Sequence, residues 1–517
     1  MSSTPAWLDS AVFYEIYPQS FNDTNGDGIG DLPGVIEKLD YIRELGCTAI
    51  WLNPCFASPF LDAGYDVSDY CMIAPRYGTN EDAKRLFAEA HRRGLHVLLD
   101  LVPGHTSWEH PWFKESMKAS RNEFTDRYVW TDSVWEEPTG YNNLRGISER
   151  NGTAAVNFFT HQPALNYGYY KPEKPWQQAM DAPGPLATRE AMKDVMRFWL
   201  SMGCDGFRVD MAASLVKNDP GHKGTIALWQ DVRAFLDREF PEAAMVSEWS
   251  QPVESLAGGF HMDFLLPWAT THYVDLFRTD APFFGGHGDA SQFVASYREA
   301  YDPTDGKGLI CIPSGNHDID RIARQLDTEA LRLSFAFLMS MPGAPFVYYG
   351  DEIGMRYVEN LPSVEGGYQR TGSRSPMQWD GSANAGFSTA DPEKLYIPQD
   401  PAADRPTVEA QMRDEASLWH EVKKLIAIRM AHPALQSKPP VRFLCDGKPG
   451  QPLVYMRETE GERVLVMLNP CDGPGVVAPA HPMDEIFYAC GEGAGQLNGQ
   501  WIIAPGSAAF VKLHEAD

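Results

Sequence analysis

The stretch GFRVDM, residues 206–211, sets an arginine and an aspartate two positions apart at the end of an apolar run. In a β-strand residues i and i+2 project to the same face, so Arg208 and Asp210 look the same way. A guanidinium beside a carboxylate lowers the acid's pKa by roughly 1–3 units, which would keep Asp210 ionised and nucleophilic. A single pair of this kind is equally a structural salt bridge at a strand end. The neighbouring strands decide between the two readings.

Seven more short apolar runs share this texture: Val12–Phe21, Thr48–Asn53, Val97–Val102, Met245–Trp249, Met262–Leu266, Leu309–Ser314 and Pro345–Gly350. Between them lie amphipathic segments with helical spacing, among them Pro33–Leu45, Glu81–Arg93, Arg189–Met202, Ile226–Phe240, Ala290–Ala300 and Thr328–Met339. Eight alternating β/α units predict an α/β protein built on a (β/α)8 barrel. Two stretches break the alternation. Residues 104 to about 170 are rich in Trp, Tyr, Asn, Gly and Pro without helical period, and 353 to about 414 is a second Gly/Pro-rich segment. Insertions of that length usually carry function, and on a barrel they would rim the C-terminal face. From about residue 433 short alternating runs suggest a small antiparallel β domain at the C-terminus. The expected division is a barrel of 1–103 and 171–432, an inserted domain of 104–170 and a C-terminal β domain of 433–517.

Composition narrows the partners. Hydrophobic residues make up 43% of the 517, enough for a sizeable core, and the formal net charge is −26. That balance argues against nucleic acid or an anionic membrane, which call for clustered Lys and Arg, and leaves small neutral ligands open. No run of eighteen apolar residues predicts a membrane helix. The start MSSTPAWLDSAVFYEIYP has no basic, apolar leader pattern, and the eight cysteines include no CxxC pair. A reducing, cytoplasmic setting is the expectation.

The strand ends hold the chemistry. The third run closes on Asp100-Leu-Val-Pro-Gly-His105, the fourth on Arg208-Val-Asp210, the fifth on Ser247-Glu248-Trp249, and the seventh on Ser314-Gly-Asn-His317-Asp318. Four strands delivering carboxylates and histidines to one rim point to an active site rather than to core salt bridges. Paired carboxylates suit glycosidic-bond cleavage, with one ionised to attack the anomeric carbon and one protonated to donate to the leaving oxygen. Asp210 is the expected nucleophile. Glu248, between Val246 and the Trp249 indole, is the expected acid, its pKa raised by apolar surroundings. Asp318 would hold sugar hydroxyls and offset the charge of the transition state.

These motifs, GYDVSDY (64–70), DLVPGH (100–105), GFRVDM, SEW (247–249) and GNHD (315–318), resemble those of the α-amylase superfamily, glycoside hydrolase family 13, in the family's order. The resemblance implies the TIM barrel with an inserted domain after strand three and a C-terminal β-sandwich. It also implies Asp210 as nucleophile, Glu248 as general acid/base and Asp318 as transition-state stabiliser, with Tyr65, His105, Arg208 and His317 lining the glucosyl subsite. QPALN (162–166) and SRSPMQW (373–379) are similar to signatures of the oligo-1,6-glucosidase and α-glucosidase branch. In that branch an Asp and an Arg grip the non-reducing end, which the resemblance assigns to Asp66 and Arg374. The implied activity is a retaining, exo-acting α-glucosidase of short α-glucosides. AGFSTADPEKLYIP (385–398) and VEAQ (408–411) resemble trehalose synthases, so an isomerase or transglucosylase stands as the alternative. A non-catalytic accessory barrel is a third reading, opposed by the three retained carboxylates.

Gly104 stands where the family usually has Asn, a calcium ligand in many amylases, so that calcium is not expected here. A different site is. Asp23, Asn25, Asp27 and Asp31 place oxygens at alternate positions as the first half of an EF-hand loop does. With the Ile29 carbonyl, the resemblance implies a structural calcium or magnesium there. No cofactor is expected for catalysis. Met211 leaves the choice between α-1,4 and α-1,6 bonds open.

Overall fold

The computed structural model describes residues 4–514 other than Thr139, Ala269 and Pro482. All eight predicted strands form, and they are parallel neighbours in one sheet: β1 (Phe13–Ile16), β2 (Ala49–Leu52), β3 (His96–Leu101), β4 (Gly206–Val209), β5 (Ala244–Ser247), β6 (Met262–Phe264), β7 (Leu309–Cys311) and β8 (Phe346–Tyr348). β8 pairs with β1, and a single bridge between Pro313 and Phe346 brings the β7 end back to β8, so the sheet is a nearly closed barrel.

The period of two explains both the core and the site. Phe13, Trp51, Leu98, Ala244, Val246, Met262, Phe264 and Phe346 point inward and form one buried cluster. Phe13 and Phe346 stack with ring centroids 4.2 Å apart. Replacing one such phenylalanine by alanine would cost about 3–5 kcal/mol. Residues of the other parity, such as Tyr14, Leu99, Val209 and Met245, join the larger cluster under the helices. Moving two residues up from the inward layer reaches Glu15, Asp100, Arg208 and Glu248, so one periodicity carries the strands from apolar filling to polar rim. Gly206 is required by close approach, because a Cβ there would lie 1.9 Å from the Ala244 carbonyl oxygen.

Helix α1 (Asn80–Arg92) begins one residue before the start expected from sequence and is capped by Thr79 through a reciprocal box with Asp82. Helix α2 (Pro183–Met202) begins six residues earlier than the apolar period suggested, since proline is tolerated in a first helical turn. The segment expected as one helix over 33–45 breaks at Lys38 into Leu32–Glu37 and Leu39–Leu45. Helices α3 (Lys223–Glu239) and α4 (Thr328–Ser340) follow the predicted pattern, and α5 (Leu418–Ala431) packs against α4.

Between β3 and α2 the chain forms an irregular insertion with one short ribbon, Asn143–Arg145 against Thr153–Ala155. Bridges from His105 to Ala164 and from Val156 to Pro163 fold this insertion back over the β3 end. After α5 come a five-stranded and a three-stranded antiparallel sheet, which share a core of Val454, Leu465, Trp501, Ile503 and Val511. Among the described residues no helix is long and apolar enough to cross a membrane. All eight cysteines are free thiols, and Cys47, Cys204 and Cys311 are among those buried.

Candidate active site

The centre of the rim is Arg208. The residue is 2% exposed, and its two terminal nitrogens face three carboxylates. Nη1 donates to Asp100 Oδ1 at 2.8 Å and to Asp210 Oδ1 at 3.1 Å, while Nη2 lies 2.9 Å from Glu248 Oε2. Asp100 and Arg208 are register partners on β3 and β4, which is why they meet. Asp100 also accepts from the Trp51 indole at 3.1 Å and the Tyr65 hydroxyl at 3.0 Å. Burial nevertheless pushes its carboxyl up to about 6, with Arg208 pulling the other way.

Asp210 follows β4, and Met211 after it takes φ 43°, a left-handed conformation that costs a bulky residue strain. That turn aims the Met211 N–H at Glu248 Oε2, 2.9 Å away. The sequence expectation for this pair needs correction. Burial and the neighbouring Glu248 raise the Asp210 carboxyl well above its usual value, and Arg208, shared among three acids, offsets them only in part. Glu248 meets a guanidinium and a backbone amide rather than an apolar wall of Val246 and Trp249.

Asp318 comes from the loop after β7. Its N–H is held by Asn316 Oδ1 at 2.8 Å, and its Oδ1 accepts from Arg370 at 2.8 Å and Arg374 at 2.9 Å. Burial opposes its charge, but His317, Arg370, Arg374 and Arg208 outweigh it and hold the carboxyl well below the usual range. His317 sits against Glu15, with Nδ1 2.9 Å from Oε1, and against the Tyr65 hydroxyl, 2.7 Å from Nε2. Burial keeps both His317 and His105 neutral, His105 being lowered to about 3.

These groups surround a cavity of about 530 Å³, within the usual range for small-ligand sites. Asp210, Glu248, Asp318, Tyr65 and His105 line it. The expected sugar-gripping residues are not where the sequence placed them. Asp66 is fully buried below the wall, its carboxylate accepting from the N–H groups of Leu61 and Asp62 and from the Ser58 hydroxyl. Arg374 is 1% exposed and spends its guanidinium on the His317 carbonyl, the Tyr17 hydroxyl and Asp318. The acid and base that line the cavity are Asp62 and Arg370, four residues upstream in each case. Arg370 Nη2 stands 3.7 Å from Asp62 Oδ1, and Gln162 of the QPALN motif donates to Asp62 Oδ2 at 2.7 Å. Asp62 lies in a turn and Arg370 in a short 3-10 helix, Tyr368–Arg374, neither with an apolar period, so only their spacing from Tyr65 and from SRSPMQW could have marked them. Apolar side chains complete the lining, among them Phe158, Met211, Trp249, Leu266, Trp268 and Ile319.

At the 23–31 loop, Asp23 accepts the N–H groups of Asn25, Gly26 and Gly28 and the Ser388 hydroxyl, while Asn25 and Asp27 accept the N–H groups of Asp27 and Ile29. Asp31 turns to Thr24 and caps the next helix through Gly34. The loop's own amides thus hold the alternating oxygens. Among the described residues no three His, Cys, Asp or Glu groups gather as a metal cage.

Comparison with known proteins places this geometry in a wider set. Residues 15–438 match the alpha-amylase catalytic domain. The trehalose synthase/amylase TreS of Mycobacterium tuberculosis is 34% identical over 490 residues, covering 84% of this chain and 77% of that protein. A probable alpha-glucosidase of Rhizobium meliloti is 32% identical over 90% of each chain. The oligo-1,6-glucosidase of Parageobacillus thermoglucosidasius is 32% identical over 82% of this chain and 84% of its own. Among solved structures, an inactive trehalulose synthase MutB in complex with isomaltulose superposes with a TM-score of 0.81 at 26% identity, over 98% of this chain and 99% of that one.

Proposed function

The chain belongs to the alpha-amylase family, and on that footing we propose that it is a retaining, exo-acting α-glucosidase of short α-glucosides. The observation that carries this reading is a cavity on which Asp210, Glu248 and Asp318 converge and whose wall holds the Asp62–Arg370 pair. In the first step Asp210, ionised in the state whose one proton rests on Glu248, attacks the anomeric carbon while Glu248 gives that proton to the departing glycosidic oxygen, so a glucosyl ester forms as the C–O bond to the leaving group breaks. In the second, Glu248 takes a proton from water, water attacks the same carbon, and Asp210 leaves. Two inversions give retention. Arg208, in contact with both acids, is suited to hold them in register through the two steps. Asp318, charged throughout, answers the positive charge that develops on the sugar ring. Asp62 and Arg370 would pair with the terminal hydroxyls and stop the chain end, which makes cleavage exo.

A second reading keeps the glucosyl ester and changes the acceptor: isomerisation of a disaccharide, as in the trehalose synthases. It is favoured by the 34% identity to the mycobacterial trehalose synthase/amylase and by the apolar lining that includes Met211 and Ile319, which would discourage water while the ester waits. Product analysis on maltose separates the two. Glucose supports hydrolysis, and a new disaccharide formed without glucose would replace it by isomerisation.

A further inference from the structure

His105 has its orientation set from the inserted segment. Its ring is 1% exposed, and Nε2 lies 3.1 Å from the Tyr65 carbonyl oxygen. A carbonyl only accepts, so Nε2 carries the hydrogen and Nδ1 presents a lone pair. Facing that lone pair at 3.2 Å is the amide nitrogen of Asn157. The amide's orientation is fixed independently. Asn157 Nδ2 also lies 3.2 Å from Ser214 Oγ, and Oδ1 lies 3.4 Å from the ammonium of Lys217, itself 1% exposed and bonded to the Ser214 carbonyl at 2.6 Å. Flipping the amide would set NH2 against an ammonium and oxygen against a lone pair. Residue 104 leaves room for this arrangement. A Cβ on Gly104 would lie 2.6 Å from Asn157 Nδ2 and 3.2 Å from Ser214 Oγ, so glycine stands here for space.

We propose that Asn157 is a positioning residue that holds His105 in the Nε2–H tautomer and in the orientation that meets the sugar, with Gly104 making room for its amide. This rests on the reading that His105 lines the glucosyl site. Asn157 joins the insertion to the β3 loop through His105 and to the segment after β4 through Ser214, where its amide also stands 3.7 Å from Met211 Sδ.

The test uses Asn157→Ala, Asn157→Asp, Gly104→Ala and His105→Ala, measured with maltose. Loss of a supporting hydrogen bond of this kind should lower kcat/KM about 10- to 100-fold. In the His105→Ala background Asn157→Ala should lower it no further, because its effect runs through the imidazole. Gly104→Ala should act like Asn157→Ala and add nothing to it. In Asn157→Asp the new carboxylate can bond Nδ1 only when that atom is protonated, so it favours the imidazolium. A new ionisation should then enter the kcat/KM profile between about pH 4 and 8, where the parent ring is neutral. The charged and titratable groups around the ring are Tyr65, His161 and Lys217, all unchanged in the variant. Nitrogen-15 NMR of histidine-labelled protein gives an arm that needs no turnover. His105, assigned by its loss in His105→Ala, should show the Nε2–H tautomer in the parent and a changed state in Asn157→Asp. Additive losses in the double variant, or an unaltered His105 spectrum in Asn157→Asp, would overturn the proposal. Failure of the parent to turn over maltose would count against the functional reading alone, leaving the NMR arm to decide this one.

Discussion

Arg208 Nη2 and Glu248 Oε2 are 2.9 Å apart, on the other terminal nitrogen from the one that meets Asp100 and Asp210. One planar guanidinium therefore ties the two acids of the proposed reaction to the wall of the barrel. A lysine offers a single point charge and cannot span both sides. Arg208→Lys should lower kcat by at least about 100-fold, read by initial rates on maltose. A variant within a few-fold of the parent would show that the bridge does not align the acids.

Asp210→Ala and Glu248→Gln should each lower kcat by at least about 10³-fold. Neither should melt earlier than the parent by more than a few degrees. The charge of Asp210 is disfavoured in the fold by burial and by Glu248, so removing its carboxyl relieves a cost. Thermal melts alongside rates separate chemistry from folding.

The corrected wall predicts a contrast within each pair. Asp62→Ala and Arg370→Ala should raise KM for maltose at least about tenfold while the protein stays folded, because both side chains line the cavity. Arg374→Ala should cost stability instead, about 1–3 kcal/mol, since the His317 carbonyl and the Tyr17 hydroxyl lose a buried partner while Asp318 keeps Arg370. Asp66→Ala should cost about 1–3 kcal/mol through the amides of Leu61 and Asp62. Urea titrations and kinetics on the four variants would expose any exchange of these roles.

The barrel was legible because apolar runs with alternating parity repeat eight times, and the same parity carried Arg208 and Glu248 to the rim. Asp62 and Arg370 were not legible, because two acids in LDAGYD and two arginines in QRTGSR offer equal candidates and loop geometry chooses between them. The protonation balance was also hidden. The pair Arg208 and Asp210 suggested a depressed acid, but burial first, and then Glu248 and Asp100, which are distant in sequence and share the arginine, reverse the sign.

Asp62 gives the pH dependence. Burial pushes its carboxyl up to about 6, against the Gln162 hydrogen bond and the charges of Arg370 and Arg374. Its charge, and so its pairing with Arg370, is present above about 6 and fades as pH falls through that value. KM for maltose should rise on the acid side with an inflection near there, lost in Asp62→Asn. For stability the sign is opposite. The folded carboxyl releases its proton later than the unfolded one, so this group weakens the fold as pH rises from about 4 to 6. Asp62→Asn should flatten that part of the stability profile.

The 23–31 turn is held by its own amides, so the fold should survive chelation. If a calcium or magnesium ion does occupy the loop, it adds stability by mass action. The Tm would then climb with added cation in the parent and not in Asp23→Ala. A parent that unfolds cooperatively on chelation at ordinary temperature would contradict the self-supporting turn.

The central claim is retaining release of glucose, and proton NMR of the purified protein with maltose tests it in one trace. Glucose appearing first as the α-anomer, with no other disaccharide accumulating, is the expected result. A growing trehalose signal without glucose, or glucose released first as the β-anomer, would contradict it.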